Sequence, residues 1–265
     1  MPPIDLAPNS PYGLRLRNQV MTAAGCFGYG VEYARAVPLD RIGAIVTRSV
    51  ALHGRALRPA RLAETPSGLL SASPWGTRGV EDVLRRYAST WMNWKTPVLL
   101  SVEADYVEVA EALEGVDGVA GLELRFDEPS AAAETVAAVR SRTLLPILVK
   151  LAPHDALRDT ARAVADAGAD AITLIAPPAA LAVDPGAGAQ TAMRLSGPAI
   201  RPIALQAVAD VASAVSIPVV GCGGITSADE ARQFLAVGAQ AVQVGAALLA
   251  DPYAAVRIAD ALEAG

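Results

Sequence analysis

A chain of 265 residues, 52% hydrophobic and 18% charged, can bury one sizeable core, and its length suits a barrel of about 250 residues. The formal net charge of −5, without any basic run, excludes nucleic acid as the main partner, although a small anionic ligand still needs only a local site. Cys26 and Cys222 offer neither a disulfide framework nor metal-ligand spacing, the first residues lack a leader pattern, and no apolar run reaches the ~18 residues of a spanning helix, so a soluble cytoplasmic protein is expected.

In chain order, residues 3 to 18 have Pro-rich ends and an alternating Leu14-Arg-Leu, which predicts a hairpin plugging the bottom of a barrel. Short β-rich runs bounded by turn residues then follow at Val20–Ala23, Gly43–Thr47, Pro97–Val102, Gly121–Leu124, Pro146–Leu151, Ala171–Ile175, Pro218–Cys222 and Ala241–Gly245. Ala-rich segments of helical period separate most of them, such as Ala156–Ala167 and Ala228–Val237, each stopped by a glycine. Strands that are apolar on both faces belong in a parallel sheet covered by helices. The fold class is therefore α/β, a single (β/α)8 TIM barrel domain over residues 1–265 with an N-terminal hairpin, preferred to an open doubly wound sheet.

Two long connections, Ala51–Thr96 and Ala176–Leu195, leave the C-terminal ends of strands and are expected to overhang the mouth as lids, or to be mobile. Trp75, Trp91 and Trp94 lie in the first, with helix packing expected of the last two.

The run Pro218-Val-Val-Gly-Cys-Gly-Gly-Ile-Thr-Ser, followed by Ala241-Val-Gln-Val-Gly245, gives two successive glycine-bearing turns. Gly221, Gly223 and Gly224 let backbone approach a ligand closely, and a helix starting near Ser227 is expected to aim free N–H groups at the turn. Such glycines also serve plain βα turns; two of these turns in step favour a phosphate cradle.

With these elements in place, Ala23-Ala-Gly-Cys-Phe-Gly-Tyr-Gly, Gly43-Ala-Ile-Val-Thr-Arg-Ser-Val, Arg61-Leu-Ala-Glu-Thr-Pro-Ser-Gly-Leu-Leu and Ser196-Gly-Pro-Ala-Ile-Arg-Pro-Ile-Ala-Leu, with the two glycine turns in order, resemble the dihydroorotate dehydrogenase family. The likeness is to its soluble class 1 members and covers nearly the whole chain. It implies FMN as cofactor, with flavin contacts at Ala24, Gly25, Ser49, Lys150, Ser196 and Gly197 and the phosphate on Gly223, Gly224, Gly245 and Ala246. It also implies a role for Lys150 in stabilising the negative charge of reduced flavin, against the plainer reading of a salt-bridged strand lysine. Among partners, it implies a homodimer, or a hetero-oligomer with a dehydrogenase paralogue or an electron-transfer subunit.

The catalytic end departs from the family. After the fourth strand the family has Glu-x-Asn-x-Ser-Cys-Pro-Asn, with the Cys as base, whereas this chain reads Glu123-Leu-Arg-Phe-Asp-Glu-Pro. Register on Pro129 puts Arg125 at the Asn, Asp127 at the Ser and Glu128 at the Cys. Ser71, Thr77, Ala176 and Arg48 replace further polar substrate positions. Three readings follow: Glu128 or Asp127 as general base, with Arg125, Asp127 and Ser71 at the substrate; a catalytically silent paralogue acting as partner subunit; or an FMN-barrel oxidoreductase for a different small substrate. Arg125, Asp127 and Glu128 also read as a solvated charged turn. His53 and His154 add no catalytic pattern, although His154 follows a strand end.

Overall fold

The computed structural model describes residues 4–56, 61–72, 76–184 and 186–264; Trp75 lies outside them. Eight strands form the barrel: β1 (Val20–Thr22), β2 (Ala44–Val46), β3 (Val98–Val102), β4 (Gly121–Phe126), β5 (Ile147–Leu151), β6 (Ala171–Leu174), β7 (Val219–Cys222) and β8 (Ala241–Val244). Each pairs in parallel with the next, β8 returns to β1 through Val242 opposite Val20, and β3 joins β4 through Leu99 opposite Gly121, so the sheet closes. All eight strands lie within or overlap the expected runs.

Period-two alternation divides each strand between two cores. Outward residues such as Leu122, Leu124, Val149, Ile172 and Val242 pack under the helices, while Met21, Ala44, Val46, Leu99, Leu148, Ala171, Val220 and Ala241 fill the barrel interior. Leu6, Leu14 and Leu16 join that interior cluster. They come from the N-terminal hairpin, Ile4–Asp5 against Arg15–Leu16, as the alternation predicts. Asp5 Oδ1 fixes the hairpin by accepting from the N–H of Ala7 at 2.9 Å and of Leu14 at 2.8 Å.

The two long connections fold onto one another. Ala179–Val183, Gln190–Ser196, Gly68–Ser71 and Leu62–Thr65 form a four-stranded antiparallel sheet in that order, with Arg194 opposite Ser71 and Ser196 opposite Leu69. The connection expected to be either lid or mobile chain is thus half of an ordered lid sheet. Helix Val80–Trp91 completes the first connection; Trp91 is buried and donates its indole N–H to the carbonyl of Tyr29 at 3.1 Å, while Trp94 packs over Gly30. No helix among the described residues is long and apolar enough to cross a membrane.

Candidate active site at the barrel mouth

Directly above the apolar interior layer, the inward positions turn polar. Glu123 of β4, Lys150 of β5, Thr173 of β6 and Gln243 of β8 are all buried and bonded into one network. The Lys150 ammonium donates to Gln243 Oε1 at 2.7 Å and lies 3.5 Å from Glu123 Oε1. Glu123 Oε2 accepts from Thr173 Oγ1 at 3.2 Å and from the Gln243 amide. A buried charge survives when paired and hydrogen-bonded, and this network does both. Burial works against the Lys150 charge, but Cys222 and Glu123 outweigh it, so its pKa is raised and the ammonium persists. Because both thiols are themselves protonated at neutral pH, Glu123 is the charge that matters there.

Lys150 also lines a cavity of about 630 Å³ between the mouth and the lid sheet. The predicted flavin residues Ala24, Ser196, Gly197, Gly223, Gly224, Gly245 and Ala246 line the same space. Both cysteines do so too, remaining free thiols, and burial pushes Cys26 up to about 12, with Cys222 adding and Lys150 opposing. Burial likewise raises Cys222. Neither is a thiolate base at neutral pH.

The cradle at one end of the cavity is built from backbone. Gly223 and Gly224 have φ of 137° and 71°, and a Cβ on either would lie 3.0 Å from Ala204 Cβ or 2.8 Å from Arg201 Cβ. At Gly245 an added Cβ would meet only ordinary contacts, Ala23 Cβ at 3.5 Å and Cys26 Sγ at 3.8 Å, so there the missing side chain leaves room that a ligand can use. Among the described residues, the N–H groups of Gly223, Gly224, Gly245, Ala246 and Ala247 have no protein acceptor.

The helix Ala228–Ala236 starts at Ser227 as expected, behind a capping box. Glu230 folds back to accept from the N–H of Thr226 at 2.6 Å and of Ser227 at 3.1 Å, while Ser227 Oγ accepts from the N–H of Glu230 at 3.3 Å. This capping box takes up the N–H groups of Thr226, Ser227 and Glu230, while those of Ala228 and Asp229 in the first turn, like those of the glycine turns, have no protein acceptor among the described residues.

A smaller cavity, about 150 Å³, adjoins the first and shares Ala24, Cys26, Leu69, Pro177, Ser196 and Leu249 with it. Gly25, Ser49 and Ser71 line this space rather than the larger one, together with Arg48, Glu103, Arg125 and Arg194. Ser49 Oγ is held 2.9 Å from Ser101 Oγ. Thr77 also faces it; its hydroxyl is buried without a hydrogen-bond partner among the described residues, in a side chain only 5% exposed. An orphaned polar atom at a cavity wall is a vacancy for a ligand hydrogen bond.

Arg125 donates from Nε and Nη2 to Asp127 at 3.0–3.2 Å, and Asp127 also pairs with Arg194 at 2.7 Å. Asp127 therefore lies between two guanidiniums. Glu128 is exposed on the turn after β4 and lines neither cavity. His154 is held by Ala152 O at 2.9 Å and Thr160 Oγ1 at 3.0 Å, away from both cavities, and His53 is exposed. The positions that sequence reasoning missed are Glu103, Glu123, Thr173, Arg194 and Gln243. Three of these, Glu123, Thr173 and Gln243, are polar residues at inward-facing strand positions, so the alternation itself carried the signal; Glu103 follows the end of β3 and Arg194 came from the lid.

The dihydroorotate dehydrogenase family model matches residues 8–265. The chain is 40% identical over 275 residues to the dihydroorotate dehydrogenase B (NAD(+)) catalytic subunit of Geotalea uraniireducens, covering 95% of this chain and 90% of that protein. A protein of the same description from Pelobacter propionicus is 40% identical with the same coverage, and one from Desulforamulus reducens is 38% identical over 94% of this chain and 90% of its own length. With a family match over residues 8–265 and about 40% identity along almost its full length to these catalytic subunits, the chain belongs to the dihydroorotate dehydrogenase family.

Proposed function

We propose that the protein is an FMN-dependent oxidoreductase that oxidises the CH–CH bond of dihydroorotate, or of a close relative carrying one carboxylate. The observation that carries this reading is the pair of contiguous cavities: a glycine-cradled space of about 630 Å³ joined to an arginine-lined one of about 150 Å³. The first suits a flavin and its phosphate, with the N–H groups of Gly223, Gly224, Gly245 and Ala246 as phosphate donors. When bound, FMN supplies the acceptor for the hydride.

Lys150 stays protonated beside the flavin position and offers a fixed positive charge where reduction builds up negative charge. Ser196 and Gly197 bring backbone close to the ring, and Ala24, Gly25 and Ser49 wall the junction of the two cavities. In the smaller cavity, Arg48 has no ion-pair partner among the described residues and is the primary anchor for a carboxylate. Arg125, Ser71 and Thr77 read the remaining polar atoms, a different set from the amide side chains of the family pattern.

The proton requires a carboxylate base. Glu103 lines the smaller cavity and makes no side-chain hydrogen bond among the described residues, so it is positioned to accept a proton from the carbon next to the hydride. Glu128, which the alignment puts at the family's Cys, reaches the same space only through movement of its turn. The catalytic-subunit descriptions of the relatives support an enzyme rather than a silent subunit, and support a second, electron-accepting subunit as partner. The test is to release and identify the flavin by denaturation, then assay orotate formation with an artificial electron acceptor. One FMN per chain with steady orotate production supports the reading, and a colourless protein sinks it.

A further inference from the structure

One carboxylate joins the lid sheet to the barrel through a charged pair. Asp127, on the turn after β4, holds Arg125 of β4 through two donors and Arg194 of the lid strand Gln190–Ser196 at 2.7 Å. Among the described residues, the only other acceptor of Arg194 is the carbonyl of Pro177, at 3.5 Å. Both arginines are about four-fifths buried, and both line the smaller cavity. Arg194 lies two residues before the Ser196–Leu205 motif that carries the family resemblance.

Three guanidiniums, Arg48, Arg125 and Arg194, and the Glu103 carboxylate line this cavity, and Asp127 pairs with two of the guanidiniums from behind the wall, so among the described residues one positive charge is left to be met. That balance fits one carboxylate on the ligand and opposes both a neutral ligand and a dianion. Without Arg194 the set is neutral and the lid strand loses its fastening.

We infer that the Asp127–Arg194 pair is the latch that fastens the lid sheet over the smaller cavity, and that Arg194 is a specificity-determining residue admitting a small monoanion. The inference rests on the reading of that cavity as the substrate site. Asp127 holds the guanidinium of Arg194 at the wall, and a bidentate arginine on the barrel side gives the carboxylate little freedom to let go. No exposed surface pair would have this effect, because solvent and salt would screen it.

The experiment compares FMN-loaded wild type with Arg194→Gln, Asp127→Asn and the double variant. Amide hydrogen exchange over residues 179–183 and 190–196 should be faster in each single variant and no faster in the double, since both substitutions break one pair. The visible flavin spectrum should be the same in all four. For Arg194→Gln, KM for dihydroorotate should rise about tenfold at low ionic strength, with a smaller change in kcat and a weaker salt dependence. Unchanged exchange in both single variants, or an additive increase in the double, overturns the latch. If dihydroorotate proves not to be the substrate, the proposed function fails, yet the exchange measurement still decides the latch.

Discussion

Lys150 and Gln243 meet across the barrel interior, ammonium to side-chain carbonyl at 2.7 Å, although 93 residues separate them in the chain. Glu123 completes the group, so the lysine that lines the larger cavity is held by partners from β4 and β8.

Removing one member of this group should cost more than removing two. Lys150→Met leaves the Glu123 carboxylate buried and unpaired, which costs about 3–5 kcal/mol in unfolding free energy. Lys150→Met with Glu123→Gln removes both charges and should recover most of that stability. Neither variant should retain normal flavin reduction. Chemical denaturation curves read the first effect, and substrate-dependent bleaching of the flavin reads the second.

Gly245 separates folding from cofactor binding. Its added Cβ meets neighbours at ordinary van der Waals distance, so Gly245→Ala should fold with little loss while weakening FMN retention about tenfold by filling the cradle. Gly224→Ala is different: at a φ of 71° with Arg201 Cβ 2.8 Å away, it should lose stability by about 1–3 kcal/mol as well as FMN. Thermal melts and flavin content after gel filtration distinguish the two.

The barrel was legible in the sequence because β strands buried on both faces leave short apolar runs, and each run from Val20 to Val244 was bounded by turn residues. The hairpin plug was legible from Leu14 and Leu16 alternating with Arg15. The turns at Gly223 and Gly224 were legible for a similar reason, since positive φ and close neighbours restrict the residue type there. The polar layer was harder. Glu123 and Gln243 stand at inward positions of their strands, but only the closed barrel brings them together across 120 residues of chain. Arg194 was unreadable because its role depends on the lid strand pairing with Gly68–Ser71, a register that loop composition does not encode. The helix start at Ser227 was legible too, and Glu230 three residues on is the signature of the capping box that takes up part of its end while leaving the N–H groups of Ala228 and Asp229 without a protein acceptor among the described residues.

Two carboxylates compete for the role of base, and glutamine variants separate them. Glu103→Gln should lower kcat by about 100-fold or more while the protein still binds orotate. Glu128→Gln, on the exposed turn, should change kcat by less than about threefold if its turn stays in place. Rapid-mixing measurements of flavin reduction give the comparison, and a reversal of the two effects would assign the proton to Glu128.

The cysteine pair sets an alkaline limit. The thiol of Cys26 is pushed from its ordinary value of 9.0 up to about 12, so the folded protein binds a proton there that the unfolded chain releases first. Its contribution to stability is fully present below about pH 9 and falls as pH rises from there toward 12. Denaturation midpoints across that window should decline in wild type and decline less in Cys26→Ala. At pH 7 both thiols should react slowly with iodoacetamide, which mass spectrometry reads directly.

The most direct test of the account is an anaerobic titration of the purified, FMN-loaded protein with dihydroorotate, followed at the visible flavin bands. The twin cavities predict that the bands bleach in proportion to added substrate and recover on admitting oxidant, with Arg48→Gln requiring far more substrate for the same bleaching. A flavin that stays fully oxidised at saturating dihydroorotate, while an unrelated reductant still bleaches it, would contradict the central claim.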